Sequence, residues 1–581
     1  MTLCSPNRLL IAGFIAAAVS YMYGVYKQRD RKQILFMEET LVSSWQKMMQ
    51  VPSVKFSKIL VGFNSDVDLI VSGTKLLTDL NVMPSIAASH HDISTIQQLE
   101  EVFSLSFSRG LPAERYVSDP DLFTDLVNHA DSKASSSENE NLRIHYKKLC
   151  LTKVFFRFAA DSNDRGPPKR FQALLSKQQK LFPKVELPQG ERSSQHIPSF
   201  LMLPLMTSSV LFLSSRAVHV QKLNKYYLQA AIGGNAALIA NNIASKFERV
   251  KVLLVGPIGP KLKALLHPGV SMQNSTIIPR DEIHLIMEFR YGETWGDYVA
   301  PGYSRFITSH DYFSGSSIVI DMLFNTIPLF RPDLIVLSGV HLLEFQPTEL
   351  WLEKLTLIKR HLNQAKRKTP IHLELGHMSN VTFVKKFMSK VLPFVDSLTL
   401  SEQELMILSH VGGGPYADHF PMKSITIHPH KATEILNWLL LHYGPGGDES
   451  SKQRYYRLRR VHVHSLTFHM LASRGPDWSN GAASLAAGAL AAAEEACGTV
   501  REPLSAKSLE LRINEVHIVD KTMERKYRFN ALNPIHSWMR EDVLFIYTPV
   551  LLCRHPAKTV GVAQAVDAAA LMYSQFFKLN E

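Results

Sequence analysis

The stretch Lys58–Ser72, KILVGFNSDVDLIVS, decides the fold. Lys58–Phe63 is a short, nearly continuous apolar run, the pattern of a strand covered on both faces. It ends at Gly62-Phe63-Asn64 and is followed at once by Asp66 and Asp68. A carboxylate just beyond the carboxyl end of a strand lies where open α/β folds bind ligands. An ionised carboxylate accepts several hydrogen bonds, which suits sugar hydroxyls. A turn asparagine and a capping aspartate would give the same local pattern.

Outward from this stretch, similar runs recur at Val67–Val71, Val250–Val255, Glu282–Glu288, Asp333–Leu337, Ile371–Leu375 and Ser397–Leu400, with helix-length segments between them. Apolar strands alternating with helices predict an α/β fold around a large, mainly parallel sheet flanked by helices. Ala482–Ala496, AASLAAGALAAAEEA, reads as a tightly packed helix. Gly233-Gly234-Asn235 leads into another helix. Paired glycines allow close backbone approach, and a helix N-terminus offers free N–H groups. In PIHLEL, a period of two puts His372 and Glu374 on one face, where burial of both requires partners. Glu374 and Glu404 lie at or just beyond successive strand ends and could converge on one hydrated Mg²⁺. A solvated acidic helix start is the alternative for Glu404.

Composition sets outer limits. Of 581 residues, 45% are apolar and 20% charged, which excludes a mostly disordered chain, a collagen-like repeat and a polytopic membrane protein. The formal charge of +12 is unevenly placed. Residues 133–228 carry 16 Lys and Arg against 6 Asp and Glu, and residues 1–32 carry 5 against 1, so the remainder is close to neutral. The basic pI therefore belongs to an insertion and an N-terminal flank. With no stacking aromatics or recognisable module behind it, a nucleic-acid partner is not expected. The insertion keeps neither helical nor strand period, as a flexible segment or retained non-coding sequence would.

Leu9–Tyr26 is uncharged and close to the ~20 residues needed to cross a hydrocarbon core. Residues 1–32 are thus expected to be a membrane anchor or signal region, with secretion the outcome if the segment is cleaved. The basic residues after it would put the body in the cytosol, whereas the sequons at Asn274 and Asn380 function only in the lumen. Topology stays open on these signals. Cys4, Cys150, Cys497 and Cys553 are too few and scattered to predict a disulfide framework or zinc cluster. There is no G-x-x-x-x-G-K-[ST] phosphate loop.

Taken in order, VGFNSDVDLIVSG (61–73), PAER (112–115), GGNAAL (233–238), LLVGPIGPKL (253–262), SRFITSHD (304–311), DLIVLSGVHLLE (333–344), IHLEL (371–375), SEQEL (401–405), RVHVHSLTFHMLA (460–472) and TPVLLCRHPAKTVG (548–561) resemble the animal members of the ADP-dependent glucokinase family. The resemblance implies a ribokinase-like fold with a smaller lid, spanning residues 50–581 and interrupted at about 133–228. It implies transfer of the β-phosphate of ADP to glucose, giving glucose 6-phosphate and AMP. It makes Asn64, Asp68, Glu114, Gly234 and Asn235 glucose contacts, Glu374 and Glu404 the Mg²⁺ site, and Arg305 the cation facing the nucleotide phosphates. A monomer tethered to a membrane, that of the endoplasmic reticulum, is the expected setting.

The sequence departs from the family in the catalytic motif. Where the family has G-x-G-D, this chain has Gly561-Val562-Ala563-Gln564. Gly561 and Ala563 stand at the anion hole, and Gln564 stands where the family's aspartate takes the sugar proton. An amide accepts no proton near neutral pH, and loss of a general base typically costs roughly 10²–10⁴ in rate. Ser401 replaces the family's asparagine beside the metal site. Asp567 is the one nearby carboxylate that could stand in as base, but it lies about one turn further along the helix, about 5 Å. Two readings follow: a glucokinase of weak or lost activity, or a non-catalytic glucose- and ADP-binding protein acting as a sensor or scaffold.

Overall fold

In the computed structural model, residues 27–577 are described apart from 30, 51–55, 91, 132–228, 274–275, 366–367, 421–425, 447–454, 499–503, 513–515, 521–522 and 528. The apolar N-terminal segment, the Asn274 sequon and the basic insertion lie outside the described residues. The chain divides into two compact units, Met1–Val127 with Ala230–Glu581, and Asn128–Gln229, the second almost wholly among the residues left out. Among the described residues, no helix is long and apolar enough to cross a membrane.

The first unit is built on an eleven-stranded sheet. Seven neighbouring strands are parallel, in the spatial order Val270–Met272, Lys251–Val255, β1 (Lys58–Phe63), β6 (Leu334–Ser338), β7 (Ile371–Glu374), β8 (Ser397–Ser401) and β9 (Arg460–His464). Beyond β9 the sheet turns antiparallel through Phe468–Arg474, β10 (Val543–Cys553) and the short strands Leu509–Arg512 and His536–Arg540. β1 begins where the sequence predicts, and its register with β6 runs Ile59↔Leu334 to Phe63↔Ser338. Its side chains from Ile59 on are buried, as a strand with helices on both faces requires. One face packs on Ser317–Phe330, Thr348–Gln364 and Val381–Lys390, whose apolar residues join β1, β6 and β7 in the main core.

A second sheet of six strands contains β2 (Asp66–Ser72), β3 (Ala113–Val117), β4 (Ile283–Phe289) and β5 (Ser304–Ser309), with Asp92–Ile93 and Gln229–Gly233 at its edges. β2 follows β1 after only two residues, so the chain passes directly from the large sheet into the smaller one. This smaller sheet is the lid expected from the resemblance.

A helix over residues 31–48 (α1) packs Leu41 and Trp45 against the alanine-rich helix α4 (Gly481–Cys497) and β10. Trp45 Nε1 donates to Thr548 Oγ1 at 3.0 Å. Small residues on α4 let it approach closely. It also packs on α5 (Val562–Tyr573) through Ala487, Ala491, Ala565 and Ala569. Cysteine counting misses a disulfide: Cys497, at the end of α4, is bonded to Cys553, at the end of β10. The two are 56 residues apart in sequence but are brought together by the packing of α4 on the sheet.

Candidate functional site

The site lies at the carboxyl ends of the central parallel strands. Asn64 caps β1 and is 2% exposed. Its Oδ1 accepts from Ala236 N–H at 3.4 Å and its carbonyl from Ala237 N–H at 3.3 Å, so it braces the start of α2 (Asn235–Lys246). These are orphan donors of a helix N-terminus, satisfied from a neighbouring strand. Gly234 enters α2 with φ of 74°. A Cβ on Gly233 would lie 2.0 Å from Asp66 Oδ1 and 2.5 Å from Asp68 Oδ1, so only glycine lets the backbone close on this carboxylate pair.

Asp66 and Asp68 are buried with His284 of β4. His284 Nε2 lies 3.5 Å from Asp66 Oδ2 and 3.0 Å from Asp311 Oδ2. Burial alone would lower the His284 pKa, but Asp66 and Asp311 hold it well above the usual imidazole range. Burial pushes Asp68 up to about 7, with His284 and Arg305 pulling the other way. Glu114, on β3, is also raised by burial. The pocket thus gathers buried carboxylates around His284 and Arg305, and their oxygens are acceptors that match hydroxyl donors.

On the other side, Glu374 ends β7 and collects three side chains. Asn235 Nδ2 donates to its Oε1 and Oε2 at 3.1 and 3.0 Å, Ser338 Oγ to Oε2 at 2.6 Å, and Gln564 Nε2 to Oε1 at 3.0 Å. Burial, and then the nearby Asp567 carboxylate, raise its pKa to about 7. Gln564 sits in the first turn of α5, whose N-cap Gly561 has φ of 82°. The left-handed conformation falls on Gly561 and not on Ala563, which is helical; Ala563 therefore carries no penalty of that kind.

Asp567 is fully buried on the side of α5 that meets the sheet. Its Oδ2 is 3.3 Å from His372 Nε2. His372 Nδ1 meets Ser397 Oγ at 2.9 Å, and Arg460 Nη1 donates to the same oxygen at 2.9 Å. Burial lowers the Arg460 pKa to about 10, and the Asp567 charge opposes that shift from the same side of α5. A fully buried carboxylate whose Oδ2 meets His372 is poorly placed to serve as a surrogate base.

Glu404 lies in the first turn of α3 (Glu402–Gly412), in a capping box in which its Oε2 accepts from Ser401 N–H at 2.7 Å. This explains why serine serves at position 401: its hydroxyl caps the Gln403 N–H at 3.2 Å. Burial raises Glu404 as well, and Arg305 opposes that shift. Arg305, on β5, lies among Glu288, Glu114, Asp68 and Glu404, so the lid carries a cation towards both halves of the site. Glu374 and Glu404 stand at the ends of adjacent strands, where they are candidate oxygen ligands for a divalent cation. Two carboxylates of this kind are the oxygen donors that hydrated Mg²⁺ takes. Among the described residues, Asp66, Asp68 and His284 are the one cluster of three whose ligand atoms lie within 4.8 Å of each other.

His284, Asp311, Ser338 and the contacts that join His372 and Asp567 to Ser397 and Arg460 were not foreseen from the sequence. Glu282 and His284 alternating inside an apolar strand were a usable signal for the first. The others depend on which strands become neighbours.

A family model described as the ADP-specific phosphofructokinase/glucokinase conserved region matches residues 57–141 and 212–573. The chain is similar to a probable ADP-dependent glucokinase of Caenorhabditis elegans, at 41% identity over 99% of this chain and 96% of that protein. It is similar to an ADP-dependent glucokinase of Bos taurus, at 29% identity over 93% and 88%. Among solved structures, it shares its fold with an ADP-dependent kinase in complex with fructose 6-phosphate and ADPβS, at TM-score 0.54 and 14% identity, covering 93% of this chain and 97% of that one.

Proposed function

This chain belongs to the ADP-specific phosphofructokinase/glucokinase family, and we propose that it is an ADP-dependent glucokinase that phosphorylates glucose slowly. The observation that carries the reading is Glu374, whose carboxylate is hydrogen-bonded both to Asn235 beside the sugar pocket and to Gln564 on the turn that would face the phosphates. One buried group thus joins the two substrates' positions. Asn64, Asp68, Glu114, Gly234 and Asn235 form the glucose side. The N–H groups at the start of α5, from Gly561 through Ala563, form the anion hole, with Arg305 above the phosphates. Glu374 and Glu404 would hold Mg²⁺ through water, and the ion would neutralise phosphate charge.

Phosphoryl transfer relies mainly on positioning and electrostatics, which these residues would supply. What is missing is an acceptor for the sugar proton, because the Gln564 amide donates into Glu374. Slow turnover follows. The same hydrogen bond favours a second reading, in which the chain binds glucose and ADP without turnover and acts as a sensor or membrane-tethered scaffold.

The Cys497–Cys553 bridge supports an oxidising compartment, and with the two sequons it favours a lumenal body on an endoplasmic-reticulum anchor. We take the protein to act as a monomer.

The test is glucose 6-phosphate formation from ADP, glucose and saturating Mg²⁺ by the wild type, Gln564→Asp, and Ala563→Gly/Gln564→Asp. Restoring the base should raise kcat by roughly 10²-fold or more. Saturating Mg²⁺ is essential because an aspartate there adds a second carboxylate beside Glu374. Wild-type turnover equal to that of the double variant would remove the slow-enzyme reading. Calorimetric binding of both ligands without turnover would favour the second reading, and binding of neither would reject both.

A further inference from the structure

The turn that leads into α5 is fastened from two directions. From α4, Ala496 O accepts the Ala557 N–H at 2.7 Å, and Glu495 Oε1 accepts from Lys558 Nζ at 2.8 Å. From the lid, Glu288 Oε1 accepts the Thr559 N–H at 3.2 Å and also the Thr559 hydroxyl. Glu288 and Thr559 are 271 residues apart, so only the approach of the small sheet to the body brings them together. Thr559 is two residues before Gly561, whose left-handed backbone starts α5.

Glu288 has a second connection. On the lid it is the register partner of Arg305, and it leads the acids that stabilise the Arg305 cation. One carboxylate therefore lies between the lid cation and the turn that aims the α5 N–H groups. Helix N-terminal donors stabilise an anion only when their direction is held, and a cation is useful only when it arrives at the same place.

We propose that Glu288 is a positioning residue that latches the lid to the Thr559 turn, so that Arg305 and the α5 N-terminus are set together on the transferred phosphoryl group. The role rests on the glucokinase reading, but the latch can be measured without turnover.

The experiment compares full-length wild type, Glu288→Ala, Glu288→Gln, Thr559→Val and the Glu288→Ala/Thr559→Val double variant, by amide hydrogen exchange across residues 556–563 and by steady-state kinetics. Loss of a charge-assisted bond should speed exchange at Thr559 by about 10-fold in Glu288→Ala. Glu288→Gln keeps an acceptor oxygen and should stay near wild type in exchange. In kinetics, Glu288→Ala should lower kcat by about 10–100-fold with the glucose KM little changed, Thr559→Val by about 3–10-fold, and the double variant no further than Glu288→Ala. Glu288→Gln should recover most of that loss. Unchanged exchange in both Glu288→Ala and Thr559→Val overturns the latch, as do kinetic losses that multiply in the double variant. If Glu288→Ala does not fold, the exchange and kcat of Thr559→Val against wild type decide alone. A wild type without turnover refutes the enzyme reading and leaves the exchange result to judge the latch.

Discussion

Gly233 shows how much of this site depends on a missing side chain. An alanine there would put a methyl group 2.0 Å from Asp66 Oδ1, 2.5 Å from Asp68 Oδ1 and 2.7 Å from the Asp68 backbone nitrogen. Real side chains do not tolerate such contacts, so the two carboxylates must turn away. Overpacking of this kind costs about 1–3 kcal/mol. Gly233→Ala should therefore weaken glucose binding by about 5- to 150-fold while the protein remains folded, read by calorimetry beside circular dichroism. Unaltered affinity would place the sugar elsewhere. At this scale the sequence was partly legible. The double glycine, Asp68, Glu114 and Glu374 are visible as motifs. That Asn64 spends its Oδ1 on the α2 amide of Ala236, and that Gln564 is a donor to Glu374, could not be read from any local pattern.

Elements were the most legible level. The runs predicted at Lys58–Phe63, Ile371–Leu375 and Ser397–Leu400 are strands over Lys58–Phe63, Ile371–Glu374 and Ser397–Ser401, and the alanine-rich helix spans Gly481–Cys497. Apolar runs of strand length and small-residue helices report their own burial, because the hydrophobic period is a local property. The disulfide was not legible, since α4 and β10 meet only through tertiary packing. Closing a loop of this length stabilises by about 4 kcal/mol in the chain-entropy model. Reduction should thus lower the thermal midpoint of the wild type and leave that of Cys553→Ser unchanged. A wild-type midpoint insensitive to reductant would mean that the bond does not form. Because Cys553 immediately precedes the turn that ends at Gly561, loss of the bridge is also expected to lower kcat.

For the whole molecule, buried titratable groups set the response to pH. Burial raises Asp68, Glu282, Glu344 and Glu402 to about 7, so between their unfolded values near 4 and pH 7 the native state holds more protons than the unfolded one. Their contribution to stability falls as pH rises through that window. Burial lowers His341 and His469 to about 3 and His462 well below its usual value. Below 6.5 the unfolded state holds more protons at these residues, and stability falls as pH drops. The two sets oppose each other between about pH 4.5 and 6.5 and act alone on either side. The thermal midpoint should therefore peak inside that range, and a scan from pH 3.5 to 8.5 with a maximum near 8 would contradict the assignment. The α/β architecture, the order of the motifs and the departure at Gln564 are written in residue identity and local period, which need no knowledge of the packed chain. The partners of Gln564 and Asp567, by contrast, emerge from packing. Those partners, Glu374 and His372, lie nearly two hundred residues away, and the choice between a base, a hydrogen-bond donor and a buried carboxylate is made by which strand end each helix turn meets.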